Sequence, residues 1–227
     1  MAERKLDDDR KVVLQQLPRK LQPAFSALWN IDLAFADVVA SSSDPRLGAI
    51  RMAWWRERLD DLDHATDAPP EPRLRAVQEQ LIDLGITGHE LSRLEDAWLP
   101  LFEPFPWRET TAAGLRLRGR ILFGIGARLL GVEPDDAEAA GALWSLVDGA
   151  RHCSDIYSRM FLLDQARAAI RELPTARPPK FLRRLTSLAA MAAHDAIRNR
   201  PLDLPYFDAG RGMAAVLHML RGTLPRG

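Results

Sequence analysis

Residues Leu47–Leu62 read LGAIRMAWWRERLDDL, a heavily charged run with two adjacent tryptophans at its centre. On a helical wheel Met52, Trp55, Leu59 and Leu62 follow i, i+3, i+7 and i+10 and form one apolar stripe. The segment therefore predicts an amphipathic helix that buries Trp55 in the core. Trp54 lies about 100° further round. It is in line with Leu47 and Ile50, but its i−3, i+4 and i+7 neighbours are Arg51, Arg58 and Asp61. Two readings fit that border. A second helix packs there, with Arg51 and Arg58 over the indole as cation–π or surface partners; or Trp54, Arg51 and Arg58 wall a cavity that holds something anionic. Spacing alone favours the first, because aromatics at helical spacing are usually core.

The same three-and-four spacing runs through the rest of the chain, and no stretch alternates for long in the manner of a strand. Helices are expected over Leu21–Ala40, Asp44–His64, Arg73–Leu84, Gly88–Trp98, Arg108–Leu130, Pro134–Tyr157, Ser158–Leu173, Pro179–Asn199 and Asp208–Arg221. Prolines punctuate them, at Pro69 to Pro72, Pro104 and Pro106, Pro174, Pro178-Pro179, and Pro201 to Pro205. Connections are short and no fixed-period repeat is visible, so the expectation is one all-α domain over residues 11–227 behind a flexible stretch at 1–10.

Composition narrows the function. With 227 residues, 31 Lys plus Arg and 31 Asp plus Glu, the chain has no net field to hold nucleic acid. Its one cysteine, Cys153, precludes an intrachain disulfide and a Cys-cluster metal site, and it fits a reducing compartment. The charged start MAERKLDDDRK has no signal-like apolar region, and no apolar run reaches the ~18 residues of a membrane span. A cytoplasmic location follows as the expectation, with contact at the periphery of an inner membrane left open.

The run ALWNIDLAFADVV (Ala27–Val39) followed by the Trp-Trp-Arg block resembles the N-terminal helix pair of the squalene and phytoene synthases. Within that family it is most similar to the branch that includes the mitochondrial complex I assembly factor 6 type. GRILFGIGARLLGV (Gly119–Val132) and GALWSLVDGARHCSD (Gly141–Asp155) resemble the next landmarks in the right order, so the likeness covers most of the chain. It implies the all-α isoprenoid synthase fold, here shortened, with helices around a deep apolar cavity. For active members it implies transfer between prenyl diphosphates, with Mg²⁺ held by two Asp motifs. Such motifs need carboxylates at i and i+4 so that one helix face can anchor the metal cluster that draws off diphosphate.

Set against that family pattern, the outer aspartates of the first motif fall at Ala36 and Ala40, leaving Asp37. Asp32 is five residues from Asp37, about 140° round the helix, so the two cannot chelate one ion together. The second motif falls at Arg151–Ile156, where His152 and Ile156 replace the outer aspartates and Arg151 matches the family's arginine. Read as one helix, Asp148, His152, Asp155 and Arg159 share a face opposite Leu143, Leu146, Ala150, Cys153, Tyr157 and Met160. Asp148 and His152 have metal-ligand spacing, but a solvated face of ion pairs is the commoner meaning. Beyond Tyr157 a Gly-Arg loop and two helices of the family are missing, which would leave a carbocation poorly shielded from water.

Asp37, Asp148, Arg151, His152 and Asp155 are therefore the catalytic candidates of a site expected to be degenerate, and no metal is assigned. Asp60 with Asp63 or His64 shares a helix face but reads as solvated acid. Cys153 reads as a buried inert thiol. The expected function is a non-catalytic assembly or binding factor, with an isoprenoid or lipid ligand and a protein partner in complex assembly as candidates, and no cofactor. Two alternatives stand beside it. One is an active Mg²⁺-dependent prenyl transferase built on converging Asp37, Asp148 and Asp155. The other is a peripheral membrane protein using Met213, Val216, Leu217 and Leu220 with Arg211 and Arg221 nearby, a stripe that could equally close the core.

Overall fold

The computed structural model describes residues 5–64, 70–198 and 208–225, and every regular element among them is helical. The helices are α1 Asp8–Gln16, α2 Gln22–Ser41, α3 Pro45–Asp61, α4 Pro72–Gln80, α5 Gly88–Ser92, α6 Leu94–Trp98, α7 Glu109–Leu129, α8 Asp135–His152, α9 Ile156–Glu172, α10 Leu182–Arg198 and α11 Ala209–Arg221.

Local chemistry sets their starts. Asp7, Asp44, Glu71, Asp155 and Asp208 each accept a backbone N–H at the head of α1, α3, α4, α9 and α11. Thr87 and Glu90 form a reciprocal capping box on α5. Proline occupies the first turn of α2, α3 and α4, where its missing N–H costs nothing.

One continuous apolar cluster runs through the molecule, and α2 lies at its heart, with Phe25, Leu28, Trp29, Ile31 and Phe35 all fully buried. Arg19–Ser41 is long and apolar enough to cross a membrane by length and composition, and 67% of its most apolar stretch is covered by the rest of the fold. That corrects the expectation that no such run exists. Against this layer α7 and α8 cross in intimate contact. A Cβ on Gly119 would lie 2.0 Å from the Gly141 carbonyl oxygen, and one on Gly141 would lie 2.1 Å from that of Gly119. Only glycine at both positions allows that crossing.

Three expectations change. Helix α1 begins at Asp8, inside the stretch expected as a flexible lead, and Arg10 is 2% exposed because its guanidinium is drawn into buried carboxylates. The Gly88–Trp98 helix divides at Arg93 into α5 and α6. The helix expected over Pro134–Tyr157 stops at His152, because Asp155 turns its carboxylate to Ser158 N and Oγ, both at 2.7 Å, and so starts a new helix. Tyr157 and Met160, placed on a core stripe by unbroken periodicity, are consequently 72% and 57% exposed. Asn199, at the end of one expected helix, lies outside the described residues, as do Pro69, Pro201 and Pro205.

Candidate functional site

A cavity of about 600 Å³ opens between α2 and α8, closed on its other sides by α1, α7 and the segment from Trp98 to Trp107. Leu33, Ala36 and Ala40 line the α2 side, because i, i+3 and i+7 share one helix face. Asp148, Gly149 and His152 supply the α8 side by the same rule. Leu101, Phe102 and Leu115 extend the apolar wall.

The inner end is polar and buried. Asp32, with no exposed surface, accepts from Trp98 Nε1 at 3.0 Å, from Arg118 Nε at 2.7 Å and Nη2 at 2.6 Å, and from Arg10 Nη1 at 3.1 Å. Arg118 Nη1 donates to Asp148 Oδ2 at 2.7 Å, and Arg10 Nη2 lies 3.9 Å from that oxygen. Arg10 Nε donates to Asp7 Oδ2 at 2.5 Å. The two guanidiniums sit among indoles: Arg118 is 4.7 Å from the Trp98 ring and 4.9 Å from Trp144, and Arg10 is 5.2 Å from Trp144.

Burial alone would raise the Asp148 carboxyl, but the charges of Arg118, His152 and Arg10 outweigh it and hold the group well below the usual carboxylate range. Burial likewise disfavours the Arg10 and Arg118 charges, and the facing acids more than restore them: Asp7, Asp148 and Asp32 for Arg10, Asp32 and Asp148 for Arg118. The five groups form one connected set of ion pairs.

Of the residues singled out from sequence, Asp148 and His152 reach this cavity. Asp148 is buried rather than part of a solvated face, and His152 Nδ1 lies 2.9 Å from the Asp148 carbonyl oxygen. The others do not line it. Asp37 accepts from Arg73 Nη2 at 2.8 Å. Arg151 turns toward α10, donating to Asp195 Oδ2 at 2.7 Å. Asp155 caps α9, and Ile156 lies 54% exposed beyond the helix break, so neither continues the α8 face.

Trp54 is 43% exposed and stacks edge-on against Trp55, their centroids 5.1 Å apart. Arg51 reaches back to Ser41 Oγ at 2.8 Å and Ser42 Oγ at 3.3 Å, and Arg58 pairs with Asp61 at 3.1 Å. No arginine lies over Trp54 among the described residues, and none of Trp54, Arg51 and Arg58 lines the cavity. Trp55 is only partly buried, against Phe35 at 6.5 Å. Asp63 accepts from Gly88 N and His89 N, and Asp60 lies 3.2 Å from His89 Nδ1. Cys153 is buried, and burial pushes its thiol up, as an inert thiol requires.

Asp32, Arg10 and Arg118 were missed. Asp32 carried a signal: an acid inside the apolar run NIDLAF must find a buried partner or stay ionised at great cost. Nothing in the sequence pattern said which arginines would answer it.

The fold and site thus define an all-α protein with an apolar cavity ending in paired charges. The family model described as squalene/phytoene synthase matches residues 4–95, less than half of the chain, and supports that family. The all-α architecture is consistent with an isoprenoid synthase-type domain. Searches of curated proteins and of solved structures each returned no match.

The Mg²⁺ that the family implies does not fit the residues present. Ala36 and Ala40 line the cavity with methyl groups, and the acids at its inner end, Asp32 and Asp148, are already held by guanidiniums. Among the described residues, no three His, Cys, Asp or Glu side chains are grouped to hold an ion.

Proposed function

We propose that this chain is a squalene/phytoene synthase-like protein that has lost prenyl transfer and acts by binding, either as a ligand carrier or as an assembly factor. One observation carries the reading. The α2 face that would anchor metal in the synthases borders the cavity with Ala36 and Ala40, while Arg10 and Arg118 hold Asp32 and Asp148. A leaving diphosphate therefore has no carboxylate-bound cation to receive it. The likeness of the Trp-Trp-Arg block to the complex I assembly factor 6 type is part of this proposal, and so are a cytoplasmic location and a protein partner.

The test is to incubate the purified protein with farnesyl and geranylgeranyl diphosphates and Mg²⁺ and to measure pyrophosphate. Background release is expected. Release well above background that Ala36→Trp abolishes would overturn the reading.

Exposure of α11 supports a second, compatible reading, contact with a membrane surface. Met213, Val216, Leu217 and Leu220 are 58%, 44%, 37% and 72% exposed. Arg211, counted with them from sequence, is instead buried, donating to Asp195 Oδ2 at 2.9 Å and to Asp9. The face is therefore more apolar than basic. Co-sedimentation with neutral vesicles that is lost in Leu217→Glu/Leu220→Glu is the expected result, and equal recovery of both proteins in the supernatant would end this reading.

A further inference from the structure

We infer that the cavity takes an uncharged, mainly apolar ligand bearing one hydroxyl or similar donor at its inner end, and discriminates against phosphate esters of the same chain. The inference deepens the non-catalytic reading of this cavity and rests on it.

Three observations carry it. First, the wall formed by Leu33, Ala36, Leu101, Phe102 and Leu115 offers no hydrogen bond from a side chain, and a cavity of about 600 Å³ accommodates a long hydrocarbon body. Second, the inner end has no surplus positive charge, since two guanidiniums face three carboxylates. Arg118 donates to Asp32 and Asp148, Arg10 donates to Asp7 and Asp32 with its Nη2 3.9 Å from Asp148 Oδ2, and Trp98 donates to Asp32. A phosphate there would add a further anion beside three carboxylates that only two guanidiniums balance. Lys5 and His152, the other basic side chains on the lining, are both exposed, where solvent screens charge.

Third, the inner end presents an acceptor. Asp148 Oδ2 is taken by Arg118, while Oδ1 has the His152 ring at 3.6 Å, beyond hydrogen-bond reach. An ionised carboxylate oxygen accepts a ligand hydroxyl and repels a ligand anion. Mg²⁺ cannot reverse that preference, because the facing α2 wall carries Ala36 and Ala40 where a second carboxylate would have to stand.

The experiment is calorimetric titration of the full chain with farnesol and with farnesyl diphosphate, each with and without Mg²⁺. These ligands share one hydrocarbon chain and differ in charge. Farnesol should bind at least about tenfold more tightly, with no gain for the diphosphate on adding Mg²⁺. Ala36→Trp, which fills the cavity from its apolar side, should abolish farnesol binding. Asp148→Asn, which leaves Arg118 with one acid fewer, should move the preference toward the diphosphate. Far-ultraviolet circular dichroism first establishes that both variants are folded.

Tighter binding of the diphosphate, absence of farnesol binding, or farnesol binding untouched by Ala36→Trp would each overturn the inference. The two levels remain separable. Diphosphate bound tightly but recovered intact sinks the ligand preference alone, whereas pyrophosphate release sinks the non-catalytic reading beneath it.

Discussion

Arg118 is the side chain on which the interior depends, since it joins two buried acids and lies against two indoles. Arg118→Met would leave Arg10 as the one guanidinium facing Asp32 and Asp148, and breaking a buried pair from one side costs about 3–5 kcal/mol. Urea denaturation should show that loss at pH 7, and a midpoint equal to the parent's would mean that the network contributes nothing. The parent should also lose stability in acid. Asp148 is held below its ordinary value in the fold, so its contribution is complete above about pH 4 and drains away as pH falls further, when the unfolded chain takes up the proton first. In Arg118→Met burial acts with less opposition and pushes the Asp148 carboxyl upward, so acid should narrow the gap between variant and parent. The tryptophan pair gives a milder contrast. Trp55 is partly buried and Trp54 more exposed, so alanine at position 55 should cost about 2 kcal/mol and at position 54 under about 1 kcal/mol. Thermal melts that rank the two the other way would place the ring contacts elsewhere.

Among the elements, the crossing of α7 and α8 is the least forgiving of substitution. Gly119→Ala drives a methyl into the Gly141 carbonyl and must force the helices apart, with an expected loss of more than about 3 kcal/mol. Gly124→Ala meets nothing nearer than 3.5 Å, and alanine's helix propensity should make it neutral or stabilising by up to about 1 kcal/mol. Denaturation midpoints that move together in these two variants would refute the close-approach argument. The glycines also mark what could be read before any coordinates. Helix type and the approximate bounds of most helices followed from apolar spacing and proline, because both act within a turn or two, but α1 and the division of α5 from α6 did not. The division after His152 did not, since Asp155 competes for the backbone through its side chain while the apolar rhythm runs on unbroken to Met160. That one misplaced continuity put Asp155 and Arg159 on the same face as Asp148. The site was legible only where it lies on one helix, as Ala36 with Ala40 and Asp148 with His152 do; the arginines that complete it arrive from α1 and α7, at separations no local pattern encodes.

At the scale of the molecule, α2 and α8 face each other across the cavity, so part of a metal site can be built there. Ala36→Asp with Ala40→Asp would set an i, i+4 carboxylate pair on the wall opposite Asp148. Mn²⁺ affinity should rise by at least about tenfold over the parent in calorimetric titration, while the crowded acids lower stability without metal. No gain would mean that the α2 wall and Asp148 stand too far apart to share an ion. The same architecture also joins distant parts of the chain. Arg211 in α11 holds Asp9 in α1 across a separation of 202 residues, next to the Arg10 that enters the cavity. On a ribosome adding about 5–20 residues per second, roughly 10–40 s pass between the synthesis of these two positions. Throughout that interval α1 lacks the guanidinium that ties it to α11 in the finished fold. A polypeptide stalled before Arg211 should therefore hold its first helix less firmly than the full chain does, and the order of synthesis makes this tie among the last to form.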